Sequence, residues 1–172
     1  MTSIRLLLAL TPALLASSAC ELINGPSELE RQIAAEQQVI AAYSADVPRV
    51  DGLQQAFLGA WARAHELKDF KAYKDALEAQ VLPALDAYFT AVEKMPTGSP
   101  ALADIHKGLL DALRAAHEGF RSFVATLAED NVEAGYAQVL TRMDAVRQAR
   151  ERYLERLKTH YAKHRVDLVQ DK

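Results

Sequence analysis

The sequence has 172 residues but only one cysteine, Cys20, and one tryptophan. A single cysteine cannot form an internal disulfide, a Cys-x-x-Cys redox pair or a cysteine zinc cluster. The sequence also lacks a glycine-rich phosphate loop, a His-Glu-x-x-His zinc motif, a Gly-x-Ser-x-Gly nucleophile motif and the Glu-x-x-His pairs of di-iron bundles. These absences exclude the recognised motifs of several enzyme classes, so the sequence predicts no catalytic residues and a protein that is not an enzyme.

Excess positive charge and strand-like alternation are missing as well. The net charge of −3 argues against nucleic acid as a partner. In place of alternating segments the chain contains 31 alanines. Because alanine costs least free energy in a helix, this composition predicts an all-α fold.

The first twenty residues follow the order of a secretory signal peptide. Arg5 precedes an apolar run over residues 6–15, which is too short to span a bilayer and ends in the small residues Ser17, Ser18 and Ala19 directly before Cys20. This arrangement resembles the lipobox of bacterial lipoproteins, although Ser17 stands where that motif usually has leucine. The alternative is an ordinary signal peptide cleaved after Ala19, which would leave a free thiol in an oxidising compartment.

The lipobox resemblance implies removal of residues 1–19 and acylation of Cys20, including palmitate. Residues 20–26 would then form a lipidated tether to a bundle domain over residues 27–168. Glu21 follows the cysteine, and by the sorting rule of enteric bacteria it implies the outer membrane, with the bundle facing the periplasm. The expected partners are therefore the membrane, through the lipid anchor, and a protein of the cell envelope.

The first two predicted helices each contain a proline. Residues 27–67 begin with a capping box formed by Ser27 and Glu30, and their apolar positions repeat at seven on both sides of Pro48. This segment is predicted to be one helix kinked at Pro48 or two helices stacked end to end. Residues 69–95 form the second predicted helix, bent at Pro83.

The last two predicted helices have clear start signals. Ser99 with Pro100 caps the third, whose inward positions alternate at spacings of four and three. Asp130, with Glu133 three residues later, is expected to cap the fourth. Four amphipathic helices with short links predict an up-down-up-down four-helix bundle with coiled-coil-like stripes, in which the long first and last helices form a stem near the tether.

Charge differs between the two predicted stem segments. Residues 21–46 carry a net charge of −4, and residues 142–165 carry +5. The simplest interpretation is mutual neutralisation, which would favour antiparallel pairing. The alternative is that the basic stretch faces phospholipid head groups or an acidic partner.

Three residues are weak candidates for a haem or metal site. His106 occupies a core position of the third helix, where a satisfied buried histidine is the simpler interpretation. His117 and Met143 are expected at one level on adjacent helices, as in His/Met-ligated haem bundles, although Met143 is more simply a core residue. His160 and His164 lie four residues apart and could bind a divalent metal weakly, although the simpler interpretation is that both are solvated. The sequence predicts no cofactor.

Pro48, Asp46 and Arg150 are predicted to form a structural clamp. Pro48 leaves the carbonyl of Ser44 without its helical donor, and Arg150 is the one strong charge on the core stripe of the last helix. Its guanidinium could bind both that carbonyl and the Asp46 carboxylate.

Two functional classes remain at this stage. The leading hypothesis is a membrane-anchored, non-catalytic bundle that acts as an adaptor, binding protein or scaffold. The alternative is a periplasmic bundle that binds haem, a metal or a small ligand. A holdase for unfolded proteins is a third hypothesis, which would require an exposed apolar surface.

Overall fold

The computed structural model describes residues 25–167, so Cys20 and the predicted signal peptide lie outside the described residues. Its elements are α1 (Glu28–His65), α2 (Phe70–Ala76), a π-helical turn (Leu77–Val81), α3 (Leu82–Glu93), α4 (Pro100–Thr126) and α5 (Val132–Lys163). Because α2, the π turn and α3 follow without interruption, residues 25–167 form four helices and no strand. The predicted all-α fold is confirmed.

The helices run in alternating directions. At one end of the molecule Glu36 of α1 is bonded to His160 of α5, and at the other Trp61 stacks on Tyr136. α1 and α5 are therefore antiparallel. On α4, Ser99 is bonded to the same Glu36 and Phe120 packs on the same Trp61, so α4 runs parallel to α1. We call the end that contains Glu36 the tether end, because residue 25 lies beyond it.

Two of the three predicted helix starts agree with the structure. Ser27 and Glu30 form the capping box of α1, and Ser99 accepts a hydrogen bond from Leu102 at the start of α4. The Asp130 cap is wrong. α5 starts after Asn131, whose side chain accepts a hydrogen bond from Ala128 and donates one to the carbonyl of Thr126. Asn131 therefore ties the turn to the end of α4, and no side chain caps α5.

The two internal prolines have different surroundings. α1 stays helical through Pro48, so the alternative of two stacked helices is wrong. In the second helix the π turn ends two residues before Pro83, and the amide of Leu82 bonds to the carbonyl of Leu77 five residues back. A proline clashes with the carbonyl four residues before it. The wider π turn lets the chain accommodate Pro83 without ending the helix.

Helix α5 packs closely on α4 but not on α1. The backbones of α4 and α5 approach each other along most of their length, whereas those of α1 and α5 stay apart. Two glycines mark the close side, since a Cβ on Gly119 would meet the side chain of Arg142 and one on Gly135 would meet the ring of Phe123. Across the wider gap, which we call the α1–α5 seam, the helices are joined by large side chains.

The tether end of α5 stops at a left-handed residue. Arg165 has φ 58°, and the amide of Val166 bonds back to the carbonyl of Tyr161 over 2.9 Å. Val166 then packs against the core. The end of α5 therefore folds back onto the bundle. Within residues 25–167, none of the helices combines the length and apolar character that a membrane span requires.

Candidate functional site

A chain of hydrogen bonds, buried at Tyr43 and His106 and partly buried at Tyr153, crosses the bundle at one level and joins α1, α3, α4 and α5. The hydroxyl of Tyr153 on α5 lies 2.8 Å from that of Tyr43 on α1, which lies 2.8 Å from Nδ1 of His106 on α4. Nε2 of His106 lies 3.0 Å from the carbonyl oxygen of Val92 on α3. Tyr43 and His106 are 0 and 4% exposed, so these bonds hold their polar atoms away from water.

The direction of these hydrogen bonds follows from their last acceptor, the carbonyl of Val92. A carbonyl can only accept, so Nε2 of His106 carries a proton, and a neutral imidazole then presents Nδ1 as an acceptor. Burial lowers the pKa of His106, opposed by the smaller effect of its bond to Val92. Burial also raises the pKa values of Tyr43 and Tyr153, which keeps both phenols protonated. Tyr153 therefore donates to Tyr43, and Tyr43 donates to His106.

Two more polar contacts lie between this chain and the tether end. Ser44 and Tyr161 share a hydrogen bond of 2.8 Å between their hydroxyl groups. Glu36 Oε1 accepts from Ser99 Oγ over 2.6 Å and lies 2.9 Å from Nε2 of His160. The tether half of the α1–α5 seam therefore contains hydrogen bonds between side chains in addition to buried apolar residues such as Ile40 and Leu157.

Ser99, Glu36 and His160 lie together, but they are not connected in the order that nucleophilic catalysis by serine needs. In nucleophilic catalysis a histidine nitrogen accepts the proton of the serine hydroxyl. Here Glu36 stands between Ser99 and His160 and binds both through one oxygen. Ser99 Oγ also accepts the α4 capping bond from Leu102. This arrangement fastens α1 to α4 and α5, and it places Ser99 against a carboxylate rather than against a histidine nitrogen.

His106 is a buried histidine whose polar atoms are hydrogen-bonded, as the simpler interpretation of the sequence predicts. It is a core histidine with both nitrogens engaged by protein atoms, so neither is free to bind a metal or haem. The core position of this histidine was predictable from the sequence, whereas its partner Tyr43 was not predicted. The signal was present, because Tyr43 lies on the apolar stripe of the first helix and a buried hydroxyl needs a polar partner.

His117 and Met143 do not form a shared site. Nε2 of His117 lies 2.5 Å from Asp86 Oδ1, and its imidazole stacks on Phe89 with centroids 4.6 Å apart. Met143 instead lines an apolar cavity of about 40 Å³ together with Phe57. That is close to the size of one water, far below the several hundred cubic ångströms of ordinary ligand sites. The geometry gives the haem alternative no support.

The residues that the structure describes contain no group of three or more metal-ligating side chains. The rings of His160 and His164 lie with their centroids 4.6 Å apart and their planes tilted by 56°. Nδ1 of His164 bonds to the carbonyl of His160, and Nε2 of His160 bonds to Glu36. Each histidine thus has one ring nitrogen committed to a protein acceptor.

The predicted clamp is wrong in its acidic partner. Asp46 is bonded to Arg49 over 2.9 Å on the same helix, and the charge of Arg150 acts on Asp51. Five residues separate the two aspartates, which puts them about 140° apart around α1, so only one can face α5. Burial raises the pKa of Asp51, and the positive charge of Arg150 partly offsets this. Pro48 itself stays inside α1.

The expected neutralisation between the two stem segments is mostly absent. Arg31 pairs with Glu28 and Arg147 with Asp144, in each case on the same helix. Within residues 25–167 the one close ion pair between α1 and α5 joins Glu36 and His160 over 2.9 Å, and it is charged only when the imidazole is protonated. Polar contacts through tyrosine and histidine take the place of the predicted charge pairing.

A surface groove opens between the start of α4 and the end of α5. Its volume is about 460 Å³, and its lining includes Ile105, Arg156, Thr159, His160 and Lys163. An ion pair of 2.6 Å between Arg156 and Asp104 bridges the two helices. His160 is 8% exposed and connects the groove to Glu36 in the seam. This α4–α5 groove is an accessible concave surface at the tether end.

Neither the fold nor these contacts can be assigned by similarity. The chain matches no protein-family model, no curated protein and no solved structure.

Proposed function

We propose that this chain is a lipid-anchored protein of the bacterial cell envelope that binds a partner and catalyses no reaction. The anchor at Cys20 is supported by the signal-peptide order and the small residues before the cysteine. Glu21, directly after the cysteine, supports attachment to the outer membrane, with the bundle in the periplasm. The partners in this proposal are the membrane, through the acyl chains, and a protein of the envelope, with no nucleic acid.

One observation carries the choice of binding over catalysis. At the tether end the reactive side chains are hydrogen-bonded to one another. Ser99 and His160 both bond to Glu36, and Tyr43 bonds to His106. The α4–α5 groove therefore supports contact with a partner better than it supports proton transfer. Binding of haem, a metal or a small ligand is the alternative function, and the groove is open to solvent rather than enclosed.

Fractionation tests the anchor. Cys20→Ser should abolish labelling with palmitate and release the protein from membranes, because two or more acyl chains hold a protein far better than one. A serine variant that stays in the membrane fraction to the same extent as the wild type would contradict the anchor.

Photo-cross-linking in living cells tests the groove. A cross-linking amino acid at Thr159 should capture a specific partner, whereas one at Thr141 should not. The two threonines are matched, since both are exposed on α5 and each bonds through Oγ1 to the carbonyl four residues earlier over 3.0 Å. Equal cross-linking from both positions, or none from Thr159, would reject the groove as the binding surface.

A further inference from the structure

Polar side chains form the hydrogen bonds that join α1 to α5 in the tether half of the seam. These are the bonds of Tyr153 to Tyr43, Tyr161 to Ser44 and His160 to Glu36, together with a bond of 2.9 Å from Gln37 to the carbonyl of His164. The neighbouring seams, by contrast, bring backbones close together. A change that disturbs these few bonds would separate α1 from α5 before it disturbed α4 or α3.

The hydrogen-bond chain contains one group that can reverse it. When His106 gains a proton, Nδ1 becomes a donor, and it faces the hydroxyl of Tyr43, which already donates to it. Tyr43 must then turn its proton toward Tyr153, the other oxygen it contacts. Tyr153 in turn needs a new acceptor for its own proton.

Nothing in the seam compensates for this change. Among residues 25–167 the hydroxyl of Tyr153 has no second hydrogen-bond partner, and the nearest charges acting on it are those of Arg150 and Asp51, of opposite sign. On α3, His106 meets the carbonyl of Val92, which accepts only. The acceptor available to Tyr153 is water at the α1–α5 surface, and a buried imidazolium is costly without a paired anion.

We propose that the tether half of the α1–α5 seam opens reversibly in acid, with protonation of His106 as the trigger. Water enters at Tyr153, and the bonds of Tyr161 and His160 to α1 are lost with it. α4 keeps its close packing on α5, and α1 keeps its packing on α3. The opening is thus a local hinge movement of one seam and exposes apolar core surface that is covered at neutral pH.

The pH range follows from the sign of the effect. Burial lowers the pKa of His106 in the folded protein, whereas in an open or unfolded chain it returns to about 6.5. The open form binds the proton more tightly, so it gains on the closed form once the pH falls below about 6.5.

Hydroxyl-radical footprinting with mass spectrometry measures this opening residue by residue on the full chain. Tyr43 and Tyr161 are both 0% exposed, so they should be protected at about pH 7.5, and their labelling should rise several-fold at about pH 5. Phe120, which is buried at the far end, should stay protected at both pH values and so distinguish local opening from unfolding. The rise should reverse when neutral pH is restored.

Three variants identify the trigger. His106→Gln keeps a donor and an acceptor but cannot be charged, so labelling of Tyr43 should no longer depend on pH. His117→Gln, on the same helix but outside the chain, should behave as the wild type. Glu36→Gln removes the carboxylate that contacts His160 in the tether half of the seam, and this variant should also keep the transition.

Several outcomes overturn the proposal. These are wild-type protection that does not change with pH, equal exposure of Phe120, or a His106→Gln variant that still opens. Loss of the transition in Glu36→Gln would also overturn it, because Glu36 would then be the trigger. Should His106→Gln fail to fold at neutral pH, NMR titration of the wild-type His106 ring decides, since the trigger requires it to take up its proton as the seam opens.

Discussion

The hydroxyl of Ser44 on α1 lies 2.8 Å from that of Tyr161 on α5, one helical turn before Pro48. Ser44 is 3% exposed and Tyr161 is 0% exposed. The carbonyl of Ser44 is also the one that Pro48 deprives of its helical donor. α1 thus meets α5 through a side-chain bond at the turn where its own backbone ladder lacks a bond.

This contact predicts strong coupling between the two residues. Tyr161→Phe should destabilise the fold by about 1–3 kcal/mol, because it leaves the buried hydroxyl of Ser44 without a partner, and Ser44→Ala should cost a similar amount. The double variant should cost little more than either single one. Free energies from denaturant unfolding at neutral pH test this double-mutant cycle, and additive losses would contradict it.

The fold was predictable from sequence because apolar periodicity and capping residues report local structure directly. The Ser27 box and the Ser99 cap need only neighbouring residues to form, and both were predicted correctly. Asp130 failed because Asn131 competes for the same turn by bonding back to α4. That competition involves a neighbouring helix, which the local sequence does not report.

The polar cluster was less predictable than the fold. His106 could be recognised as a core residue from its spacing, but its partners Tyr43 and Val92 lie on other helices. Their meeting depends on the rotation of each helix about its axis. The same cause limits the prediction for Asp46, which pairs with Arg49, since the sequence does not report which side of α1 faces α5. Tyr161 follows Tyr153 and Leu157 at spacings of four, and this pattern could have revealed it.

Arg150 should be coupled to Asp51 and not to Asp46. Because burial raises the pKa of Asp51, its ionised form opposes folding once the pH exceeds its unfolded value of about 4. Asp51→Asn should therefore stabilise the protein at pH 7 and have no such effect at pH 3. In an Arg150→Met background that gain at pH 7 should be larger, because the Asp51 charge then lacks the positive charge that partly offsets the effect of its burial. A cycle that pairs Arg150→Met with Asp46→Asn provides the control, and coupling there would restore the original clamp.

Removing both ends of the Tyr43–His106 bond should cost less than removing one. His106→Leu leaves the buried Tyr43 hydroxyl without its acceptor and should cost about 1–3 kcal/mol at pH 7.5, whereas adding Tyr43→Phe should recover part of that loss.

The wild type should lose stability as the pH falls below about 6.5, because burial lowers the folded pKa of His106. The leucine variant should lack this contribution. Chemical denaturation across pH values measures both effects, and a parallel pH dependence in the two proteins would exclude His106 as its source.

The close side of α5 gives a prediction that separates helix propensity from packing. A Cβ at Gly135 would lie 2.6 Å from Cδ2 of Phe123, whose ring is buried between α4 and α5 and has little room to move. Gly135→Ala should therefore destabilise the protein by about 1–3 kcal/mol, despite the better helix propensity of alanine.

Gly108 is the matched control, since it lies inside α4 with nothing within 4 Å of the added methyl group. Gly108→Ala should stabilise the protein by about 0.4–1 kcal/mol, because propensity and chain entropy act there alone. Thermal and chemical unfolding midpoints of the two variants should move in opposite directions. A shift to higher stability in both would mean that Phe123 yields and that the α4–α5 contact is looser than this packing requires.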